Sequence, residues 1–249
     1  MTATGIDHFH PRHFSLLSDS ALECFRVLLA KAIGMDHIPK SIDVLLVALL
    51  AKPESGDRPI GIFSSFLRVW GRWSRRKLGN AWEEANKRSY FYGGQGRGAE
   101  ASAWSTGVLA EWADSQDQSC AFLFLDLQKA YENISHVHLI RSAIFFNFPL
   151  RILRFCLRGY RGTRIISVGG IMTPPVSTQS TIVAGCSWAT SLLRLALILE
   201  FDSFKVAFDF IFLSVYIDDI IMGIIRNTMA AVGAALRQAE SYLTAVFLR

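Results

Sequence analysis

Residues 208–222 read FDFIFLSVYIDDIIM, and this stretch decides the fold. It consists of two short apolar runs, rich in β-branched and aromatic residues, on either side of Asp218 and Asp219. Such runs predict buried strands, and aspartate tolerates the backbone of a tight turn. We therefore expect a β-hairpin with both carboxylates at its tip. Taken alone, the pair is explained better by a solvated turn than by a functional site.

A second apolar strand also ends in an acid, because the run at residues 121–125 is followed by Asp126. Two strands of this kind could bring three carboxylates together. Hard cations such as Mg²⁺ prefer oxygen ligands. Two such ions, about 3.5–4 Å apart, activate an attacking oxygen and stabilise a leaving one in phosphoryl transfer. The three acids are therefore candidate metal ligands.

Two motifs resemble those of a known family. The box Tyr216-Ile217-Asp218-Asp219 resembles the YxDD box of reverse transcriptases, and residues 126–131 resemble their first carboxylate motif, an Asp followed by Lys-Ala and an aromatic. The similarity runs in order over residues 44–248. The Arg-Pro-Ile at residues 58–60 points to the non-LTR retrotransposon and group II intron-like members.

The resemblance implies an α+β fold with the fingers and palm of a right-hand polymerase, an antiparallel palm sheet covered by helices, and a thumb that is absent or truncated. We predict an N-terminal helical extension at residues 1–40, fingers at 41–118 and a palm at 119–249. Elements of the fingers are expected to interleave near residues 140–175.

The composition favours a polyanionic partner and argues against a membrane span. Net charge is +5 and the pI is about 9.2, a balance that suits binding to nucleic acid. Hydrophobic residues make up 51% of the chain, but the apolar run at 44–51 is too short to cross a bilayer. The longer run at 206–225 carries three aspartates, which are costly in lipid. We expect an intracellular protein, either nuclear or cytoplasmic.

Basic residues recur beside the predicted strands and on two predicted helices. Arg58 begins the return strand of a hairpin after the apolar strand at 44–50, and residues 66–88 form a basic helix or helix pair interleaved with tryptophans. On the helix at 149–160, arginines recur every three or four residues and share one face. Basic side chains beside aromatic rings suit single strands and hybrid duplexes, although solvated cationic faces explain these patterns nearly as well.

The resemblance assigns roles to these residues. Catalysis and the binding of two Mg²⁺ ions, with Mn²⁺ as an alternative, would fall to Asp126, Asp218 and Asp219. Nucleotide binding would fall to Arg58, Arg68, Tyr131 and Gly185, and nucleic-acid binding to Arg72, Arg75, Arg76, Arg151, Arg154 and Arg158. The expected partners are an RNA template, a DNA or RNA primer and a dNTP.

Two alternatives stay open beside RNA-templated DNA synthesis. One is an RNA-dependent RNA polymerase, which Tyr131 disfavours because an aromatic at this position in reverse transcriptases would collide with a ribose 2′-hydroxyl. The other is a decayed or domesticated copy that binds RNA without polymerising. Ala184, where the family has Gln, and Glu132, where retrotransposon enzymes commonly have Asp, leave room for it.

Three smaller expectations concern segments outside the motifs. The first 13 residues are polar and predict a loose N-terminal arm. His136 and His138, in a helix that Ser135 would cap, are expected at the surface. The four cysteines lack paired metal spacing and predict reduced core thiols; they are Cys24, Cys120, Cys156 and Cys186.

Overall fold

The computed structural model describes residues 4–35, 37–52, 56–94, 96–178 and 180–247. In chain order, its helices and strands are α1 (Asp19–Gly34), β1 (Val44–Ala51), β2 (Asp57–Ile62), α2 (Ser65–Ser74), α3 (Asn80–Ala85), α4 (Ala99–Ser115), β3 (Ser119–Asp126), α5 (His136–Phe145), α6 (Leu150–Tyr160), β4 (Thr163–Val168), β5 (Ile171–Met172), α7 (Ala189–Ala207), β6 (Phe212–Tyr216), β7 (Asp219–Arg226) and α8 (Met229–Phe247). Short 3₁₀ turns lie at Pro11–Leu16 and Lys40–Ile42, and a π-helical turn at Arg75–Gly79. The predicted α+β class is confirmed.

The chain folds into two units, each built from two separate segments. Unit 1 comprises Met1–Trp82 and Tyr131–Leu195, and unit 2 comprises Glu83–Ala130 and Ala196–Arg249. These divisions fall at other positions than the predicted domain boundaries, and the assignment of fingers to 41–118 and palm to 119–249 stays a prediction. Among the described residues, no helix combines the length and apolarity that a bilayer crossing needs.

Unit 1 contains a four-stranded sheet with the order β2-β1-β4-β5. The predicted hairpin of β1 and β2 is confirmed as an antiparallel pair, while β1 also pairs in parallel with β4. Leu45 and Val47 of β1 are buried, as the two-residue period of a strand requires for one core-facing side. Gly169 and Gly170, both with positive φ, form the turn that joins β4 to β5. The turn between β1 and β2 includes residues 53–55, which lie outside the described residues.

The helices of unit 1 pack through aromatic side chains. Trp70 of α2 meets Phe155 of α6 with ring centroids 4.4 Å apart, and Trp188 packs edge-on against Phe148. Edge-to-face contacts of this kind add about 0.5–1.5 kcal/mol each beyond the area they bury. The buried Trp188 also donates an indole N–H to the Ser74 hydroxyl at 3.1 Å.

The prediction of a loose N-terminal arm is wrong for the part of it that the structure describes. The Asp7 carboxylate accepts the Ser65 backbone N–H at 2.7 Å and so caps the start of α2. Phe9 packs against Phe66 of α2 and against Phe14, which is itself buried. Phe9 and Phe14, the two phenylalanines of residues 1–14, carried the signal, because each can bury a large apolar area.

Unit 2 is organised around a three-stranded antiparallel sheet with the order β3-β7-β6. One face buries Ile220, Met222 and Ile224, and α8 packs against β7 and β3. The opposite face is partly covered by α4, whose Ser102 hydroxyl bonds the buried Ser214 hydroxyl at 2.6 Å. The predicted antiparallel sheet with helical cover is therefore present in this unit.

A short segment before α4 extends this sheet beyond β6. The Tyr92 N–H donates to the Val215 carbonyl and the Val215 N–H donates to the Tyr90 carbonyl, both at 2.8 Å. Arg88 binds the Asp202 carboxylate of α7 with two N–H groups, at 2.8 and 2.9 Å, and the Tyr90 hydroxyl adds a third bond at 2.6 Å. These contacts fix residues 88–92, which lead into a glycine-rich loop that contains Gly93, Gly94, Gly96 and Gly98.

Candidate active site

The antiparallel register of unit 2 brings two of the three predicted acids face to face. Asp126, the last residue of β3, pairs directly with Asp219, the first residue of β7. Directly opposed residues of an antiparallel pair have Cβ atoms about 4.5–5.5 Å apart. Two carboxylates that lie 93 positions apart in the chain therefore meet at one end of the sheet.

The third acid lies in the turn between β6 and β7. Tyr216 pairs with Asp219, so the two-residue turn consists of Ile217 and Asp218. Asp219 accordingly begins a strand, whereas the sequence predicted it at the hairpin tip beside Asp218. The Leu127 N–H donates to the Asp218 carbonyl at 3.1 Å, which ties the turn to the backbone just after Asp126.

Ile217 holds the turn in a strained conformation, with φ at +62°. A positive φ at only the first central residue is the pattern of a type II′ turn, where glycine is preferred. A β-branched side chain there is an outlier, and such conformations cost on the order of 1–3 kcal/mol. Contacts elsewhere in the fold must compensate for this strain, which lies at the residue directly before Asp218. The alternation of apolar residues in the sequence does not reveal the strained turn.

A glycine beside the turn was also not predicted from sequence. A methyl group on Gly93 would lie 3.2 Å from the Ile217 backbone nitrogen and 3.3 Å from its Cγ1 atom. The side-chain-free backbone of the glycine-rich loop thus packs directly on the turn. The nearest signal in the sequence was the density of glycines at 93–98, which indicated a loop but not its contact.

The environment at this end of the sheet disfavours three neighbouring negative charges. The pKa of Asp219 is raised, first by burial and then by the negative charges of Asp218 and Asp126. A cation between the carboxylates would relieve both effects, because it supplies the opposite charge.

The donor set fits a hard divalent cation better than a soft one. It consists of carboxylate oxygens alone, which suit Mg²⁺ or Mn²⁺ rather than zinc or copper. Within the described ranges, no cluster of three or more His, Cys, Asp or Glu side chains is arranged as a ready-made metal site. The fit therefore rests on ligand chemistry and mutual repulsion.

The sheet face that carries these acids is open near them. Side chains alternate along a strand, so Phe122, Phe124 and Asp126 share one face of β3. Phe122 packs closely against Gly223, and Leu109 of α4 approaches the same glycine, so α4 covers this part of the face. Phe124, one pair closer to the acids, is 67% exposed. An apolar platform therefore leads up to the carboxylates.

All four predicted nucleotide-binding residues belong to unit 1, and two of them, Arg68 and Gly185, line the same groove. The Tyr131 carbonyl accepts the Ile182 N–H at 2.8 Å, and the Gly61 N–H of β2 donates to the Ala184 carbonyl at 2.7 Å. Gly185 has a φ of +104° and packs so closely on the Gly61 carbonyl that a Cβ atom would not fit. Arg58, also on β2, is exposed.

Four arginines line an open groove of about 460 Å³ beside Gly185 and Ser187; they are Arg68, Arg72, Arg75 and Arg76. The π-helical turn at Arg75–Gly79 adds a residue to the helix at the point where the last two of them lie. The pKa of Arg68 is lowered by burial and by the Arg72 charge. A surface with this much like charge is an anion-binding candidate, as the sequence predicted for Arg72, Arg75 and Arg76.

The arginine face of α6 lies where it was predicted. Arg151, Arg154 and Arg158 are exposed on one side of the helix, while Ile152, Phe155 and Cys156 are buried on the other. The structure confirms the placement of these arginines, and their role in binding nucleic acid stays a prediction.

His136 is buried, so the prediction of a surface histidine is wrong for this residue. Its Nε2 atom lies 3.0 Å from the Thr181 carbonyl, and burial lowers its pKa. The predicted cap by Ser135 is confirmed, since its hydroxyl accepts the Val137 N–H. A bond to a residue 45 positions away has no local signature, which is why the sequence did not reveal it.

The comparison with known proteins decides the family. A family described as reverse transcriptase (RNA-dependent DNA polymerase) matches residues 50–249, which is most of the chain. The chain belongs to the reverse transcriptase family.

Two more distant similarities accompany this match. The reverse transcriptase chain is 22% identical over 201 residues to the Transposon TX1 uncharacterized 149 kDa protein of Xenopus laevis, covering 78% of this chain and 15% of that protein. Its fold is similar to that of apo telomerase from Candida tropicalis truncated from its C-terminal domain, with a TM-score of 0.53 and 14% identity over 82% of this chain and 47% of that one. The chain thus spans a small part of the transposon protein and about half of the telomerase chain.

Proposed function

We propose that this chain carries out RNA-templated DNA synthesis, transferring a nucleotidyl group from a dNTP to a primer 3′-hydroxyl with the help of two metal ions. The observation that carries the proposal is the direct pairing of Asp126 with Asp219, with Asp218 one residue away in the turn. Membership of the reverse transcriptase family supports it. The similarity to a transposon protein supports a retroelement origin.

In this proposal Asp126, Asp218 and Asp219 would hold two Mg²⁺ ions, or Mn²⁺ in their place. Ions bound there would activate the primer hydroxyl and stabilise the leaving pyrophosphate. Asp126 and Asp219 offer carboxylates from facing strands, and the hydrogen bond from Leu127 keeps Asp218 beside them. The strained turn at Ile217 fixes the direction of the Asp218 backbone before substrate arrives.

Nucleotide recognition is proposed for Arg58, Arg68, Tyr131 and Gly185. Arg58 and Arg68 are proposed to contact the triphosphate, since a guanidinium donates paired hydrogen bonds to phosphate oxygens. Tyr131 is proposed to exclude the ribose 2′-hydroxyl. Gly185, which is held against β2, would present bare backbone to the incoming base pair.

The template and primer would be held by arginine side chains that follow the phosphate backbone. The groove arginines Arg72, Arg75 and Arg76 supply one such surface. The exposed face of α6, with Arg151, Arg154 and Arg158, supplies another. Contacts of this kind are independent of sequence and weaken with salt.

Primer extension on an RNA template tests the proposal. With Mg²⁺ and dNTPs, the wild-type chain should extend the primer, whereas Asp126→Asn and Asp218→Asn should lower the rate by at least 10³-fold. The matched control is Asp117→Asn, an exposed aspartate of the same unit with a positive φ that asparagine tolerates. It should keep the wild-type rate.

The same assay separates the alternatives. Preferential incorporation of NTPs would point to an RNA-dependent RNA polymerase and would overturn the assignment of Tyr131. Retention of RNA binding with no incorporation in either Mg²⁺ or Mn²⁺ would overturn the proposed activity and would favour an RNA-binding protein.

A further inference from the structure

A cluster of sulfur and hydroxyl groups, of which Cys156 and Tyr160 are buried and Cys186 is half-buried, lies in unit 1 beside the arginine groove. Cys156 and Tyr160 of α6 and Cys186, just before α7, line a cavity of about 30 Å³. A void of this size can hold a water molecule or another molecule of similar size. Arg68, Gly185 and Ser187 line both this cavity and the open groove, so the two adjoin.

The Tyr160 hydroxyl is an unusual feature of this cavity. Its side chain is fully buried, and among the described residues it makes no well-formed hydrogen bond. Leaving a buried hydroxyl unpaired costs on the order of 1–3 kcal/mol. The neighbouring polar group is the Cys186 sulfur. The polar Tyr160 hydroxyl therefore lies near the Cys186 sulfur, at a position where an apolar side chain would pack equally well.

The two cysteines have different environments. The Trp188 backbone N–H donates to the Cys186 sulfur at 3.4 Å. The Cys156 thiol beside this sulfur is the largest cause that lowers the pKa of Cys186, and the nearby Tyr160 hydroxyl and the backbone N–H add to it. The pKa of Cys156 is raised by its hydrogen bond to Cys186 and by burial. Cys186 is thus the nucleophile of the pair, and Cys156 keeps its proton.

We propose that Cys186 and Cys156 form a reversible redox pair that a small peroxide oxidises to a disulfide. The Cys186 thiolate attacks one peroxide oxygen, the O–O bond breaks, and the released hydroxide takes a proton to become water. Cys186 is then a sulfenic acid. The Cys156 sulfur attacks the Cys186 sulfur, the S–O bond breaks, and the Cys156 proton leaves with the hydroxide as a second water.

The disulfide would change the groove beside it. A covalent S–S bond is about 2.05 Å long, shorter than the hydrogen bond it replaces, so Cys186 must move toward α6. Gly185 and Ser187, its neighbours in the chain, line the groove, and Gly185 has no free space against Gly61. If the groove binds nucleotide as in the proposed function, on which this consequence rests, oxidation should lower activity.

Peptide mapping after peroxide treatment tests the pair without using activity. The folded chain is exposed briefly to hydrogen peroxide, free thiols are blocked, and tryptic peptides are examined by mass spectrometry. We expect peptide 155–158 linked to peptide 165–194 with the loss of two hydrogens, a product that dithiothreitol removes. The product should persist in Cys24→Ser, whose cysteine is exposed, and disappear in Cys156→Ser and Cys186→Ser.

Primer extension then tests the consequence. The oxidised wild type should extend the primer at least tenfold more slowly, with recovery in dithiothreitol, and Cys186→Ser should be insensitive to peroxide. Free thiols at both positions after treatment, or a link through Cys24 instead, would overturn the redox pair. A correct link with unchanged extension would overturn its effect on the groove. A chain that is inactive even when reduced would sink the polymerase proposal, while the peptide result would still be readable.

Discussion

Three aspartates at one end of a sheet repel each other, and Asp219 carries the measurable consequence. Its pKa is raised by burial and by the two neighbouring charges. The folded state therefore binds a proton more tightly than the unfolded chain does. The free energy of unfolding should fall as pH rises from the ordinary pKa of an aspartate to the raised value, and should then stay level.

The first prediction follows from this sign. Without divalent metal at pH 7, Asp219→Asn should have a free energy of unfolding about a few tenths of a kcal/mol higher than that of the wild type, and so a slightly higher urea midpoint. The gain is small because the site is exposed and screened. The gain should vanish below the ordinary aspartate pKa. Addition of Mg²⁺ should stabilise the wild type more than the variant. Equal urea midpoints at pH 7 would contradict the argument.

The second prediction concerns a single residue, Tyr131, and the choice between dNTP and NTP. Because its ring is proposed to meet the sugar, Tyr131→Ala should raise the kcat/KM for NTPs relative to dNTPs by about tenfold or more, the range expected for loss of one steric contact. Steady-state primer extension with each nucleotide measures this ratio. The control Tyr92→Phe removes a hydroxyl bonded to Ser105 and should leave the ratio unchanged. Loss of both activities in parallel would assign Tyr131 to packing instead.

At the scale of elements, the turn between β6 and β7 depends on the glycine-rich loop. A methyl group on Gly93 would press on Ile217, which is already strained. The third prediction is that Gly93→Ala lowers stability by about 1 kcal/mol and slows primer extension about tenfold, since the displaced turn carries Asp218. Thermal melts and extension rates measure the two effects.

The double variant Gly93→Ala with Ile217→Gly tests the coupling. Glycine accepts the positive φ and removes the Cγ1 atom that the methyl group would touch, so part of the loss should return. Gly107→Ala is the matched control. It lies in α4 with open space around it and should stabilise the helix by about 0.5–1 kcal/mol. Strictly additive effects in the double variant would argue against contact between loop and turn.

The elements themselves followed from the sequence where the signal was local. Continuous apolar runs correctly predicted β1, β3 and the β6–β7 hairpin. Signals that depend on distant partners were not visible. The parallel pairing of β1 with β4 and the bond from His136 to Thr181 each join residues far apart in the chain.

The candidate site divides in the same way. The sequence identified the three acids as candidate metal ligands. The direct pairing of Asp126 with Asp219 is set by the register of β3 against β7, in which the last residue of one strand faces the first residue of the other. The strain at Ile217 could not be predicted, since isoleucine is disfavoured at positive φ and only the surrounding hydrogen bonds impose it. The pairing of Cys156 with Cys186 was equally hidden, because 30 residues separate them. Cys24, expected in the core, is exposed.

At the scale of the whole molecule, binding should be governed by charge. The fourth prediction is that Arg76→Gln weakens binding to RNA templates of different sequence by similar factors and reduces the slope of log K against log salt by about 0.7, the value for one contact to a single strand. Arg76 lines two adjoining grooves. The control Arg237→Gln changes an exposed arginine of α8 and should keep the wild-type slope. Fluorescence anisotropy titrations across salt concentrations measure both.

The interleaved connectivity of the two units has a consequence for biosynthesis. β3 emerges from the ribosome long before β7, its partner in the sheet, and β1 waits similarly for β4. Pairings so distant in the chain close slowly, and unpaired apolar strands are prone to aggregate in the interval. A nascent polypeptide that has not yet reached residue 219 would expose β3 as an unpaired apolar strand, so aggregation at this stage should lower the yield of folded protein.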